Sequence, residues 1–456
     1  MRAFNWLPAV VFRPVDRVWF GAVLLVLCFS FFSSAHAQNN NDEKKKSEEK
    51  DSKEKDDQRG GIIGDATRML LDEHDARFFG NPHRFSILPI GYYDFRTGLN
   101  LGMFSRIESK QDKPYRYRVT LQFIASTNGS HKHKIVFEYP QIGHSKFGFK
   151  LRAEWERDLE ARYFGLGNNS LNEKELTDPD REEFIDEDFY LYNLKQPSIA
   201  IYGKRQVLPN IFFWFGFGLE KADPQLKAGP ETSFLAQDRP FGRLGGSGRH
   251  LSFRLSWDTR SDDLFPRKGF LTDFSFEPNF ASVKEETPTT NGIERRTRDV
   301  TFYRYTFSDA HFFPFRSDRL IFANRVVFEG VAGNAPYYAL GEVAGERHIH
   351  GLGGSHSLRG FQSRRFQDKL KLFTLTELRY NLRQFQILSH SFDLIFIGFF
   401  DTGWVWRRWS EIAFNDVHST FGAGVWLNWN NKVIFRLDVG RSPEQIIPFF
   451  RFYTAF

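Results

Sequence analysis

The sequence predicts an all-β protein, a 16-stranded antiparallel transmembrane β-barrel, and three observations predict it. Aromatic residues make up 17% of the 456 positions, 52 of them Phe, beside 26% charged residues, a mixture suited to strands with one face in lipid and the other in water. From about residue 84 onward, apolar and polar side chains alternate with a period of two. The connections between the resulting strands sort by length, long ones at one rim and short ones at the other, as the outer loops and periplasmic turns of an outer-membrane barrel do.

At the N-terminus Arg2, Arg13 and Arg17 precede the apolar run VWFGAVLLVLCFSFF, and Ala35-His36-Ala37 supplies a small-x-small cleavage site. Residues 1–37 therefore read as a secretory signal peptide cut after Ala37. Cys28, the one cysteine, lies inside that run, and Leu27 before it does not suit a lipoprotein cleavage box. The mature chain is then expected to have no thiol, no disulfide and no cysteine metal site. Residues 38–59 carry 15 charges in 22 positions and no large apolar side chain, so they read as a disordered tether. Residues 61–79 have room for one short amphipathic helix, which reads as a loosely ordered lead-in rather than a functional plug, and this makes 38–83 tether and lead-in and 84–456 the barrel. No later stretch has the roughly 20 apolar residues that a membrane helix needs. The net charge of +6 is spread along the chain and points to no nucleic-acid partner.

Strands are expected at 84–93, 98–108, 115–125, 132–139, 145–156, 189–204, 211–221 and 248–258, then at 268–277, 299–309, 319–329, 371–381, 391–405, 418–429, 433–440 and 448–456. The count is even, and most lengths suit the roughly 9–11 residues that cross a bilayer at a tilt. In KFGFKLRAEWE, Phe147, Phe149, Leu151, Ala153 and Trp155 alternate with Lys150, Arg152, Glu154 and Glu156. YRVTLQFIA, LSFRLSWD, FLTDFSFE and VIFRLDV repeat the pattern. A soluble sheet with one buried face alternates too, so loop sorting decides. Connections 109–114, 140–144, 205–210, 259–267, 310–318, 382–390 and 430–432 are short, whereas 157–188, 222–247, 278–298 and 330–370 are long. The closing strand FFRFYTAF sets Phe450, Phe452 and Phe456 on one face, which resembles the terminal recognition signal of outer-membrane barrels.

The longest outer connection contains GLGGSHSLRGFQSRR, residues 351–365. Within it LGGSHSLRGF resembles the signature loop of the bacterial surface antigen family. That family comprises the core subunit of the barrel-assembly machinery, its translocation-and-assembly relative, the two-partner-secretion transporters and chloroplast import channels. SWDTRSDDLFPRKG (256–269), RYFGLGNNS (162–170), LTELRYNL and GFFDTGWVW (398–406) are similar to further segments of the family, in order across 84–456. The resemblance implies that the long outer loop folds into the lumen, where Arg359 of the Arg359-Gly360-Phe361 motif meets Glu377 and Asp401. Alternation in KLFTLTELRY independently turns Leu372, Thr374, Thr376, Leu378 and Tyr380 to lipid and Glu377 and Arg379 inward. LIFIGFF is apolar on both faces and leaves the side of Asp401 open. Gly353 and Gly354, with Gly351 and Gly360, permit tight turns close to the wall.

The resemblance also implies a function. The chain would be an outer-membrane barrel of a Gram-negative cell, surrounded by outer-membrane lipid and lipopolysaccharide and itself inserted by the barrel-assembly machinery. It would act on polypeptide or lipid substrates with a separate periplasmic polypeptide partner. Family members carry polypeptide-transport-associated domains ahead of the barrel; the 46 residues at 38–83 leave no room for one, so a short form is expected.

Two other readings compete. A passive, porin-like diffusion channel would use a wide lumen, with the acids of 157–188 (Glu173, Glu175, Asp178, Asp180, Glu182, Glu183, Asp186, Glu187 and Asp188) forming either a cation-favouring constriction or a solvated outer loop. An outer-membrane hydrolase is the weaker alternative. Ser355 and His356 are adjacent, and neighbours in an extended chain point to opposite sides; His348 and His350 share a face without an evident third ligand. No catalytic residue, metal or cofactor is expected.

Overall fold

A strand whose alternate side chains suit lipid and water is stable in a bilayer only when its backbone hydrogen bonds are made by neighbouring strands, and the chain meets that requirement by pairing each strand with the next. The computed structural model describes residues 74–452 apart from 79–80, 95, 110–114, 144, 290–291, 345–350, 388–389 and 432. The expected signal peptide, the tether, the lead-in up to residue 73, His348, His350 and Phe456 lie outside the described residues.

The first strands are β1 (His74–Phe78), β2 (Asn81–Asp94), β3 (Gly98–Ser109), β4 (Arg118–Ser126), β5 (His131–Tyr139) and β6 (Phe147–Arg162). Next come β7 (Leu191–Leu208), β8 (Ile211–Leu226), β9 (Gly246–Asp258), β10 (Gly269–Thr289), β11 (Gly292–Phe315) and β12 (Ser317–Gly333). The last are β13 (Leu370–Ile387), β14 (His390–Trp406), β15 (His418–Trp429), β16 (Val433–Arg441) and β17 (Ile446–Phe452). Two short helices, α1 (Phe234–Asp238) and α2 (Tyr337–Leu340), lie in the outer connections. Strands β2 to β17 form the 16-stranded antiparallel wall of a nearly closed barrel, and β1 is an additional strand.

The period-two pattern maps onto the two faces of this wall. On β8, Phe213, Phe215, Phe217 and Leu219 are exposed on the outside, while Gly216 and Gly218 between them are buried. On β13, Leu378 and Tyr380 face out, and Phe373, Leu375, Glu377 and Arg379 are buried on the inner side. The outer belt of Phe, Leu and Trp is therefore the lipid-facing surface.

Two features differ from the sequence expectation. The sheet begins earlier than residue 84: the end of the lead-in forms β1, which pairs with the start of β2 from His74↔Phe85 to Phe78↔Asn81. Residues 278–298, expected as a long outer loop, instead continue β10 and β11 as a paired ladder that runs out to Thr289↔Gly292. Beyond the bilayer both faces of a hairpin meet water, so the ladder persists without apolar alternation; pairings such as Glu285↔Arg296 and Glu286↔Arg295 replace it with cross-strand charge. The closure of the wall is its weakest strand contact. β17 and β2 are neighbours in the sheet, but the contact between them is the sparsest of any adjacent pair of strands; there Tyr92 lies 5.6 Å from Phe450 and 6.1 Å from Phe452, and Arg451 reaches Asp94 at 3.5 Å.

Candidate functional site: a lumenal loop pinned to the barrel wall

The connection between β12 and β13 has little reason to stay in water. Leu352, Leu358, Phe361 and Phe366 are too apolar for a solvated loop, and they pack with Val327, Phe373, Leu375 and Val405 of the inner wall in one buried cluster. Phe361 stacks edge-on against Phe366 at 5.1 Å. The loop thus lies inside the barrel with its own small core, and its polar backbone must be satisfied there. Leu352 and Phe366 exchange backbone hydrogen bonds (2.9 and 3.0 Å), Gly354 N–H donates to Phe361 O (2.9 Å), and the buried Ser357 hydroxyl donates to Gly353 O (2.9 Å).

Two glycines are needed for this path. Gly360 has φ +121°, and a Cβ there would stand 2.8 Å from the Arg441 carbonyl carbon of β16. Gly353 has φ +122°, and a Cβ would meet Gln362 O at 1.9 Å. Neither backbone shape nor space admits a side chain.

The turn these glycines allow aims Arg359 at the wall. Its Nη1 donates to Glu377 Oε1 at 2.5 Å, its Nη2 to Asp401 Oδ1 at 2.6 Å and its Nε to Asp401 Oδ2 at 2.8 Å; its backbone N–H adds a bond to the same Oδ2 at 3.2 Å. The guanidinium also lies over the Phe399 ring at 3.8 Å. All three charged side chains are fully buried. Burial works to lower the Arg359 pKa, but Asp401 and then Glu377 outweigh it and hold it above its ordinary value.

Sequence reasoning placed Glu377 inward and left Asp401 open; alternation on β14 turns Asp401 to the lumen, with Phe400 on the lipid side. It also turned Arg379 inward without showing its partners, and it missed Arg436, Asp438 and Trp426. Arg379 Nε donates to Glu377 Oε2 at 2.8 Å, and its guanidinium lies 5.1 Å from the Trp426 ring centroid. Arg436 pairs with Asp438, which accepts a hydrogen bond from Trp426 Nε1 at 2.7 Å, and Arg436 also reaches Ser355 O at 3.3 Å. Three guanidiniums thus face three carboxylates with formal charge balanced, which is what makes ions tolerable without water. A second buried group, Glu329 with Arg304 (2.9 Å) and Lys371 (2.5 Å), accepts Ala344 N–H at 2.9 Å and ties down the start of the loop. The signal for these residues was present in VIFRLDV and in the alternation of β11 to β13, where single charges punctuate apolar runs.

Other expected residues fall as follows. Phe450 and Phe452 are half-buried and pair with Leu437 and Phe435 on β16. RYFGLGNNS packs onto the lumenal loop, with Gly167 N–H donating to Gln367 O (2.9 Å) and Arg365 Nη1 donating to Ser170 Oγ (2.6 Å). Of the nine acids singled out in 157–188, Glu173, Glu175, Asp180, Glu182, Glu183 and Glu187 are exposed and the other three half-exposed. SWDTRSDDLFPRKG is the β9–β10 turn; Asp262 Oδ1 caps the Leu264 and Phe265 amides at 2.8 Å, and Phe265 enters the barrel beneath Arg379. Ser355 Oγ accepts a hydrogen bond from Arg451 Nε at 3.2 Å, a structural use of the hydroxyl. Among the described residues no group of His, Cys, Asp and Glu is arranged to hold a metal.

A transmembrane β-barrel with an arginine-bearing outer loop locked against its inner wall is an outer-membrane barrel of the assembly and translocation class. The Omp85 superfamily domain matches residues 78–439, and the chain belongs to that superfamily. Comparison with curated protein sequences gives no match. Among solved structures, the chain is similar to BamA from Haemophilus ducreyi lacking POTRA domains 1–3, at 12% identity and TM-score 0.49 over 87% of this chain and 78% of that one. It is similar also to CdiB from Escherichia coli, at 10% identity and TM-score 0.46 over 84% of this chain and 66% of that one.

Proposed function

We propose that this barrel works at its own seam, moving an outer-membrane component, polypeptide or lipid, between the periplasmic side and the bilayer, with a separate periplasmic polypeptide delivering the substrate. The observation that carries this reading is the contrast between two parts of one wall. At β12–β16 the wall is fixed from within by the Arg359, Glu377 and Asp401 cluster, while between β17 and β2 the contact is the sparsest of any adjacent pair of strands. A lock on one side keeps the barrel in shape while the other side opens, so the lumenal loop acts as an internal strut. The signal peptide cut after Ala37, the charged tether of 38–59 as a reach into the periplasm, and the terminal Phe450, Phe452 and Phe456 as the chain's own insertion signal belong to the same reading.

The test is photo-crosslinking in living cells from Ile142 at a periplasmic turn and from Tyr93 beside the seam, both exposed. Capture of unfolded barrel precursors or of lipid at Tyr93, and of a periplasmic polypeptide at Ile142, is the expected result. Adducts that are no more frequent at Tyr93 than at a lipid-facing position far from the seam, such as Phe274, would overturn it.

A further inference from the structure

The lumenal loop fills only part of the barrel. Against β2 to β6 it leaves a cavity of about 880 Å³ that reaches the seam. One wall of this chamber is apolar: Leu88, Ile90, Phe104 and Ile124 point inward, on the face where a water-filled lumen calls for polar groups, and they continue onto Phe452 of β17. The remaining lining is cationic, with eight Lys and Arg against four Asp and Glu. Each of those four carboxylates already has a cation within 3.5 Å. Among the described residues Arg157 and Arg162 have no ion pair, and Arg157 Nε is buried without a hydrogen-bond partner. A chamber with surplus guanidinium charge and a greasy wall is costly when filled by water alone, since apolar surface stays wet and buried donors stay unpaired.

We propose that this chamber receives a phosphate-bearing lipid that enters sideways between β17 and β2. The phosphate pairs with Arg157 and Arg162, for which fork-shaped guanidiniums are suited, and an acyl chain lies on Ile90, Phe104 and Ile124. The volume holds a headgroup and part of a chain, so the rest of the chain runs out through the seam into the bilayer. This assignment rests on the seam being the site of exchange, and it makes lipid the substrate class.

Binding is measured by isothermal titration on the purified full-length barrel in a neutral maltoside detergent, with short-chain phosphatidylglycerol, short-chain phosphatidylcholine and glycerol 3-phosphate as probes. Phosphatidylglycerol should bind roughly tenfold or more tighter than phosphatidylcholine. Arg162→Glu should remove that preference. Ile124→Asn should weaken lipid while sparing glycerol 3-phosphate, and a bis-maleimide joining cysteines at Tyr92 and Phe450 should block lipid alone. Heat-modifiable gel mobility establishes that each variant is folded, and Arg157→Gln serves where Arg162→Glu is not. Lipid binding indifferent to all of these changes would place the lipid on the outer belt and overturn the proposal. Glycerol 3-phosphate binding as tightly as lipid would also overturn it, leaving a free-phosphate site. Loss of lipid binding in Arg162→Glu with undiminished capture of precursors at Tyr93 would leave the seam reading standing and remove lipid as the substrate.

Discussion

Arg359 has no solvent to stabilise its charge, so its two carboxylates and the Phe399 ring must do so. Removing one member of a buried ion cluster leaves the others unpaired, which costs about 3–5 kcal/mol. Arg359→Ala should therefore lower the temperature at which the folded, fast-migrating band converts on a semi-native gel, and Arg359→Lys should lower it less, because an ammonium meets one carboxylate and cannot fork across two. An unchanged conversion temperature in Arg359→Ala would mean that the cluster does not hold the barrel. Gly360 limits the same site from the backbone side. Its φ of +121° and the 2.8 Å approach to Arg441 predict that Gly360→Ala costs about 1–3 kcal/mol, read as the same shift on the same gel with the charges intact.

Among the strands, stability should follow pairing. β13 and β14 share a continuous register from Leu370↔Trp406 to Ile387↔His390 with one irregularity, while β17 is registered along β16 and meets β2 only sparsely. Amide protection reflects local opening, so hydrogen exchange followed by mass spectrometry in detergent should show β17 peptides exchanging faster than β13 or β14 peptides; equal protection would remove the open seam. β1 bears on this edge as well. By pairing with Asn81–Phe85 it covers the first part of β2 on the side away from β3, so the sparse contact with β17 falls on the later residues of β2. A sheet edge left bare invites foreign strands, and β1 reduces that hazard without sealing the seam.

For the whole molecule, occupancy of the lumen is the property that separates a transporter with a strut from a diffusion pore. Phe265 enters from the β9–β10 turn below Arg379, and the β12–β13 loop enters from the outer side. A barrel of 16 strands is wide enough to conduct once emptied. Replacing 351–365 with a short flexible linker should raise single-channel conductance in planar bilayers well above that of the intact protein. Conductance as large in the intact protein as in the loop-deleted one would favour the passive channel.

Alternation is a local property, set by which side of a strand each residue takes, so the number of wall strands, their lipid faces and the inward direction of Glu377 and Arg379 were legible from the sequence. Arg359 was recognised through its neighbours Gly360 and Phe361. Asp401 could not be oriented from GFFDTGWVW, because its strand is apolar on both faces: one side meets lipid and the other meets the packed loop, and only the closed barrel tells these two dry surfaces apart. The β10–β11 hairpin escaped for the opposite reason, with water on both sides and no alternation to read. Closure, the Glu329 group that anchors Ala344, and the chamber behind Ile90 arise from residues far apart in the chain brought onto one inner surface. Periodicity fixes which way a side chain points, and only the curvature and register of the whole sheet fix what it points at.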